Sequence, residues 1–344
     1  MGAVIDGRYR VRGVIAEGGM GVVYDAVHID LGRRVALKAL AARFTDDIVA
    51  VTRFRNEARA ASALGHPNIV EVSDFGVLPD GAPYLVMERL EGETLGQRMR
   101  REGRLPPVDT SQIVAQILSA LTATHEREIL HRDLKPENVY LSYRPGLPPV
   151  VKLLDFGISK QLATLDDPNH QLTRAGFVMG TPGYMAPEQA RGERDLDGRV
   201  DLYAVGVLAY EMLSGRPVYL AKNPAALVAE MRSRPPAPLR TVRATVSDEF
   251  ELFVHTLMSL DRRQRYATAS DALHVLMDPQ FETNSPDDEP TTVTAAPEMP
   301  PPPMPVDPVP AEPPAEPSAM RATDPDVVDD SQRVQIFAWN SRRP

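Results

Sequence analysis

The chain has 344 residues, room for one large bilobal unit plus a tail or for two ordinary domains. Its net charge of −9 sits almost wholly from Pro279 onward, where 12 acidic side chains face 4 basic ones and 16 of the 33 prolines fall. The near-neutral remainder argues against a basic nucleic-acid platform. Cysteine is absent, so disulfides, thiolate metal sites and a thiol nucleophile are excluded. The seven histidines lack the paired helical spacing of a His-rich metal site.

Tyr9 to Ala16 and Val22 to His28 are short β-branched runs on either side of a glycine cluster, and Arg33 to Leu40 is a third such run. Val51, Phe54, Ala58 and Ala61 recur at helical spacing, with Asp46 and Asp47 supplying N-terminal capping chemistry. Val70 to Val77 and Tyr84 to Arg89 predict a hairpin around Asp80-Gly81. Beyond Gly92 the pattern turns helical. Ile113, Val114, Ile117, Leu118 and Leu121 form one apolar stripe, and Leu202, Val205, Leu208 and Met212 form another, closed by Gly215 and Pro217. A last helix is expected around Ser270 to Met277. The Pro- and Asp/Glu-rich stretch 279–344 is expected to be a disordered tail. No secretory signal or apolar run of about 20 residues occurs, which favours a cytoplasmic location.

Chemistry concentrates in four places. The cluster Gly18-Gly19-Met20-Gly21, within Ile15 to Val23, lets backbone N–H groups approach a polyphosphate, although a hairpin turn would have the same composition. Lys38 lies in the apolar run Val35-Ala36-Leu37-Lys38, where burial demands an anion and a carboxylate; Glu57 on the next helix is the candidate partner. The run His131-Arg132-Asp133-Leu134-Lys135-Pro136-Glu137-Asn138 supplies a base, a cation and a neutral oxygen donor. Asp-Phe-Gly follows at 155 to 157. In phosphoryl transfer from ATP, Asp133 would align a hydroxyl and take its proton, and Lys135 would neutralise developing charge. Asn138 and Asp155 would hold Mg²⁺.

With these motifs the chain, from about residue 9 to 278, resembles the eukaryotic-like protein kinase superfamily. It looks most like the bacterial serine/threonine kinases, which share the Gly-Gly-Met-Gly loop and the segment Gly180 to Glu188 (Gly-Thr-Pro-Gly-Tyr-Met-Ala-Pro-Glu). The resemblance implies an α+β, bilobal protein-kinase-like fold. A β-rich N-lobe (9–87), a hinge (88–92) and a helical C-lobe (93–278) would precede the disordered tail. It also implies ATP with two Mg²⁺ ions, Mn²⁺ being a possible substitute.

In that family's pattern, Ile15, Ala16, Glu17, Gly18, Gly19, Met20, Gly21, Val22, Val23, Ala36, Lys38 and Glu57 would surround the nucleotide. Met87 would be the gatekeeper, the backbones of Glu88 and Leu90 would bond adenine, and Tyr140 would floor the pocket. Glu188 would pair with Arg265, and Asp201 would brace the catalytic loop. Lys135 implies Ser/Thr acceptors, with Thr181 shaping the acceptor subsite. Arg132 and Lys160 would clamp a phosphate on Thr173, added by a second copy of the chain during transient self-association. Two positions depart from the pattern. Ala16 replaces the first glycine, which implies modestly weaker nucleotide binding. Tyr140 replaces an aliphatic residue, so its ring could stack on the base if its hydroxyl finds a partner. Threonines 291, 292 and 294 sit among acidic residues and could dock a phosphothreonine-reading module once modified. Two rivals remain: a pseudokinase scaffold, against which the presence of Lys38, Glu57, Asp133, Asn138 and Asp155 speaks, and a small-molecule phosphotransferase, which would lack Ala186-Pro187-Glu188.

Overall fold

The computed structural model describes residues 2–19, 21–155 and 182–284, apart from the side chains of residues 49, 53, 57 and 60. The segment Thr292–Pro344, a separate unit, lies outside the described residues, as do 285–291.

The N-terminal half is a six-stranded antiparallel sheet in the order β1-β2-β3-β4-β6-β5. Its strands are β1 (Val4–Ile5), β2 (Tyr9–Gly18), β3 (Gly21–His28), β4 (Arg34–Leu40), β5 (Val72–Val77) and β6 (Pro83–Glu88). The β-branched runs expected from the sequence become β2 to β4, and the expected hairpin becomes β5–β6. The pleat sorts β4 between two cores. Val35, Leu37 and Ala39 pack with Tyr9, Ala26, Tyr84 and Val86 on one face. Leu40 packs with Phe54, Ala58, Ala61, Val72 and Leu85 on the other. Lys38 therefore shares the face of helix α1 (Ile48–Leu64), which starts where Asp47 accepts a hydrogen bond from the Ala50 N–H at 3.0 Å. The sheet starts upstream of Tyr9, because β1 pairs with β2 through Val4↔Arg10 and Ile5↔Tyr9.

Past Gly92 the chain is not purely helical. A three-stranded sheet, β7 (Gly92–Thr94), β8 (Val139–Arg144) and β9 (Leu147–Leu153), runs antiparallel against helices α2 (Leu95–Glu102) and α3 (Pro107–His125). Helices α4 (Pro187–Ala190), α5 (Arg199–Ser214), α6 (Pro224–Ser233), α7 (Leu239–Val242), α8 (Asp248–Leu257) and α9 (Ala269–Leu276) complete the half. Helix α5 is the hub: Val200 through Ser214 are all buried, and Gly215 closes it at φ 69° in the left-handed region. At Gly206 a Cβ would come within 2.8 Å of Leu257, so glycine lets α8 approach the α5 backbone. One apolar cluster joins α3, α5, α8 and α9 with β8 and β9, giving the loop between α3 and β8 a rigid floor. Past α9, Ser247 still bonds the carbonyls of Glu282 and Thr283.

Candidate active site

The loop between α3 and β8 converges on one carboxylate. Lys135 Nζ lies 3.0 Å from Asp133 Oδ2, and Asn138 Nδ2 lies 2.8 Å from the Asp133 carbonyl and 3.3 Å from Oδ2. A carbonyl oxygen only accepts, so the Asn138 amide nitrogen is fixed toward Asp133 and its oxygen is left as a donor for a cation. Fully buried His131 bridges the loop to the end of β9. Its Nε2 is 3.1 Å from the Leu154 carbonyl and must carry the proton, while Nδ1 faces the Asp133 N–H at 3.4 Å. Burial pushes the His131 pKa down, against the pull of Asp201 and Asp133, so the ring is a neutral strut rather than a base.

A second buried carboxylate holds the loop from below. Asp201, in the first turn of α5, accepts the Arg132 N–H through Oδ1 at 2.7 Å. Its Oδ2 accepts the His131 N–H at 2.8 Å and faces His125 Nε2 at 2.9 Å. Burial alone would raise the Asp201 pKa, but the His125 bond, the neighbouring imidazoles and the Arg132 N–H outweigh it and hold it low. Arg132 needs this anchor, since its φ of 59° lies in the left-handed region that non-glycine residues avoid. Gln189 fixes the same residue from the other side by donating to the Arg132 carbonyl at 2.8 Å. Asp155 is also left-handed, at φ 48°. One residue before Gln189, Glu188 receives a bidentate bond from Arg265, at 2.6 and 2.9 Å. Arg265 also donates to the carbonyls of Ser259 and Arg199 at 2.8 Å each, so four hydrogen bonds compensate this buried charge.

From the N-terminal half, Lys38 reaches across to Asp155 at 2.5 Å. Ile15, Ala16, Glu17 and Gly18 end β2, exposed, and Gly21, Val22 and Val23 open β3, with Gly18 opposite Gly21. A Cβ at Gly21 would meet the Ala39 carbonyl at 2.0 Å, so the turn can lie against β4 only with glycine. Arg43, on the 3-10 turn after β4, donates to the Gly19 carbonyl. Ala36 pairs with Met87 across β4 and β6. The Glu88 N–H is committed to the Glu71 carbonyl at 3.0 Å, whereas the Leu90 N–H has no hydrogen-bond partner among the described residues. Tyr140 is half-buried on β8, and burial raises its pKa against the pull of the nearby Arg89 charge.

Two contributors escaped the sequence reading. Lys152 on β9 bonds Glu88 at 2.6 Å, and Gln189 bonds the Arg132 carbonyl. Lys152 stands in the apolar run Val150 to Leu154, the same signal that singled out Lys38. The Glu57 backbone belongs to α1, while its side chain lies outside the described residues, as do Met20, Lys160, Thr173 and Thr181.

The oxygens of Asn138 and Asp155 are hard donors suited to Mg²⁺, which takes few protein ligands and completes its shell with water and phosphate. Among the described residues, no three His, Cys, Asp or Glu side chains gather into a group that could hold a metal ion. Among them, too, no helix is long and apolar enough to cross a membrane.

The protein kinase domain family matches residues 9–277. Serine/threonine-protein kinase pkn3 of Myxococcus xanthus is 42% identical over 271 residues, covering 78% of this chain and 49% of that protein. Serine/threonine-protein kinase PknB of Mycolicibacterium smegmatis is 37% identical over 267 residues, covering 77% and 41%. The chain thus spans half or less of the length of these curated relatives. Among solved structures, the Mycobacterium tuberculosis PknI kinase domain superposes with a TM-score of 0.61 at 27% identity, covering 80% of this chain and 97% of that one. A family match over most of the chain, relatives that are bacterial serine/threonine kinases and the shared bilobal fold lead to one statement: the chain belongs to the protein kinase domain family, on its bacterial serine/threonine branch.

Proposed function

We propose that the chain transfers the γ-phosphoryl group of Mg·ATP to serine and threonine hydroxyls of proteins. The observation that carries this reading is the convergence of Lys135 and Asn138 on Asp133, with Lys38 meeting Asp155. The kinase unit would span 9–278, with hinge 88–92 between N-lobe 9–87 and C-lobe 93–278.

In this reading adenine bonds the Glu88 carbonyl and the Leu90 N–H beneath Ala36 and beside Met87, and the loop 15–23 covers the phosphates. The acceptor oxygen forms a bond to the γ-phosphorus in line with the bridging oxygen, whose P–O bond breaks to release ADP. The hydroxyl proton passes to Asp133 late in the step. Lys135 neutralises charge on the transferring group, and Lys38, positioned with Glu57, orients the α- and β-phosphates. Divalent cations held by Asn138 and Asp155, two Mg²⁺ with Mn²⁺ as substitute, would neutralise the phosphate oxygens when bound. Because the pieces are fixed before substrate arrives, catalysis is mostly orientation.

Regulation would follow from the same chemistry. A copy of the chain phosphorylates Thr173 in trans, Arg132 and Lys160 clamp the phosphate, and Thr181 shapes the acceptor subsite. The threonines after Glu289 would offer a docking point for a phosphothreonine-reading module. A cytoplasmic location would supply ATP and protein substrates.

The test is transfer of label from γ-labelled ATP to a generic basic protein, with amino-alcohols as competing acceptors. Wild type should label Ser/Thr of the protein and Asp133→Asn should not. Equal labelling by both, or label on the amino-alcohols alone, would reject the reading. A silent wild type that still binds Mg·ATP would favour the pseudokinase.

A further inference from the structure

At the end of α5 opposite the Asp201 anchor, a cavity of about 250 Å³ opens between Tyr210 and Ser214, the turn at residues 216–218 and the segment 234–237 that leads from α6 toward α7. Pro217, Val218, Pro235 and Pro236 give it apolar walls of stiff backbone. The polar groups of the walls are satisfied within the fold. The Tyr210 hydroxyl donates to the Ala237 carbonyl at 3.0 Å, while Ser214 Oγ donates to the Arg216 carbonyl at 3.1 Å and accepts the Arg216 N–H at 3.2 Å. The positive charge is not satisfied. The Arg216 guanidinium lines the cavity, is exposed, and makes no hydrogen bond or ion pair among the described residues. Arg234 lines it too and engages only Nη2 among them, on the Val218 carbonyl at 3.2 Å and on Glu230. Arg104 stands beside it, 3.4 Å from the Val242 carbonyl. Two carboxylates are near, and both are engaged: Glu230 with Arg234 and the Leu220 N–H at 3.1 Å, Glu251 with the Arg240 N–H at 3.0 Å.

We propose that this cavity is a docking site for an acidic segment of the protein substrate, with one carboxylate on Arg216 and an aliphatic or prolyl side chain between the proline walls. The inference rests on the kinase reading above and adds a surface that selects the partner. The planar fork of an uncommitted guanidinium matches a carboxylate, and a basic segment would meet three arginines. The volume lies below the roughly 300 to 1,000 Å³ of small-molecule sites, which suits peptide side chains better than a whole cofactor. Helix α5 sets the reach. Asp201 in its first turn anchors the loop of Asp133 and Ser214 ends it, a separation of about 20 Å by the α-helical rise. A docked segment therefore leaves Asp133 open, and the acceptor hydroxyl must lie at least about six extended residues from the acidic anchor.

The test is fluorescence anisotropy of a short labelled peptide of glutamate, proline and alanine titrated with the full chain, beside kinetics on an acceptor peptide joined to that acidic segment. Wild type should bind the glutamate peptide about tenfold more tightly than its glutamine counterpart. Arg216→Glu should lose about tenfold and prefer a lysine counterpart, Arg216→Lys should sit between, and Arg234→Gln should lose about threefold. Arg216 is exposed and unbonded, so its variants keep the wild-type Tm. Joining the acidic segment through about six or more residues should lower the KM for the acceptor about tenfold with kcat within about twofold. A linker too short to span α5 should bring no gain. Arg216→Glu should erase the gain yet label a generic basic protein as wild type does. Equal binding of the glutamate and glutamine peptides, or undiminished binding by Arg216→Glu, would overturn the proposal. So would displacement by inorganic phosphate as readily as by unlabelled peptide, the mark of a plain anion site. A wild type that binds the acidic peptide but labels no acceptor would sink the transfer reading and leave the acidic-segment site standing. One that labels the generic protein but binds no acidic peptide would overturn the docking alone.

Discussion

The loop carrying Asp133 and the glycine turn between β2 and β3 are held by opposite means. Residues 131 to 138 hang from a buried carboxylate: Asp201 takes two consecutive backbone N–H groups, Gln189 takes the Arg132 carbonyl, and His131 ties the loop to β9. Residues 15 to 19 are exposed and are set by sheet register, with Arg43 reaching the Gly19 carbonyl from outside. The comparison teaches where each half stores its order. The loop bearing the proposed base is preorganised from below by a helix whose residues Val200 to Ser214 are all buried, whereas the proposed phosphate cover is shaped from its rim. Damage to the first should appear in turnover, and damage to the second in nucleotide affinity.

The sharpest way to break that contrast is Asp201→Asn. It keeps the shape but weakens two backbone anchors and the His125 contact, so kcat should fall about 10²-fold while KM for ATP moves little. Single-turnover labelling separates the two parameters, and a KM effect of equal size would erase the distinction.

Next comes the scaffold beneath the acceptor side. Glu188→Ala strands the buried Arg265 guanidinium, whose side chain is 0% exposed, and should destabilise the fold by about 3–5 kcal/mol in denaturant unfolding. Replacing both partners with apolar residues should recover part of that loss.

On the rim, Arg43→Ala should raise KM for ATP about threefold and leave kcat intact, with Arg43→Lys intermediate. An equal drop in kcat would place the glycine loop in the same preorganised class as the catalytic loop.

The smallest effect concerns pH. Glu211 on α5 accepts the Tyr184 hydroxyl at 2.6 Å and the Val218 N–H at 3.1 Å, and burial pushes its pKa up to about 7. A carboxyl whose folded pKa is raised binds protons better folded than unfolded. Its contribution is complete below the unfolded value, which is 4.5, and declines as pH rises through about 7. Glu211→Gln should therefore gain stability relative to wild type between pH 5 and pH 8, read as the difference in Tm. A flat difference would show that the carboxyl does not titrate in that window.

How much of this was legible in the sequence follows physical lines. Strands β2 to β4 announced themselves because β-branched residues alternate there, and α1 because its apolar residues recur at 3 and 4. The sheet β7–β9 did not. Gly92–Thr94 is too short to show a period, Val139–Arg144 reads as the end of a chemical motif, and Leu147-Pro148-Pro149 looks like a breaker. Prolines are tolerated in β9 because it is the edge strand of its sheet. The order of Asp133, Lys135, Asn138 and Asp155 carried the chemistry directly, since spacing within a loop is a local property. The partner of Glu88 was not readable, because only the fold brings Lys152 on β9 to the end of β6.

The most direct measurement is a crystal structure of the full chain with Mg²⁺ and a non-hydrolysable ATP analogue. The account predicts Mg²⁺ at about 2.1 Å from the Asn138 amide oxygen and an Asp155 carboxylate oxygen. Adenine should lie against Tyr140, within hydrogen-bond reach of the Glu88 carbonyl and the Leu90 N–H. A nucleotide bound elsewhere, or metal held without Asn138 and Asp155, would contradict it.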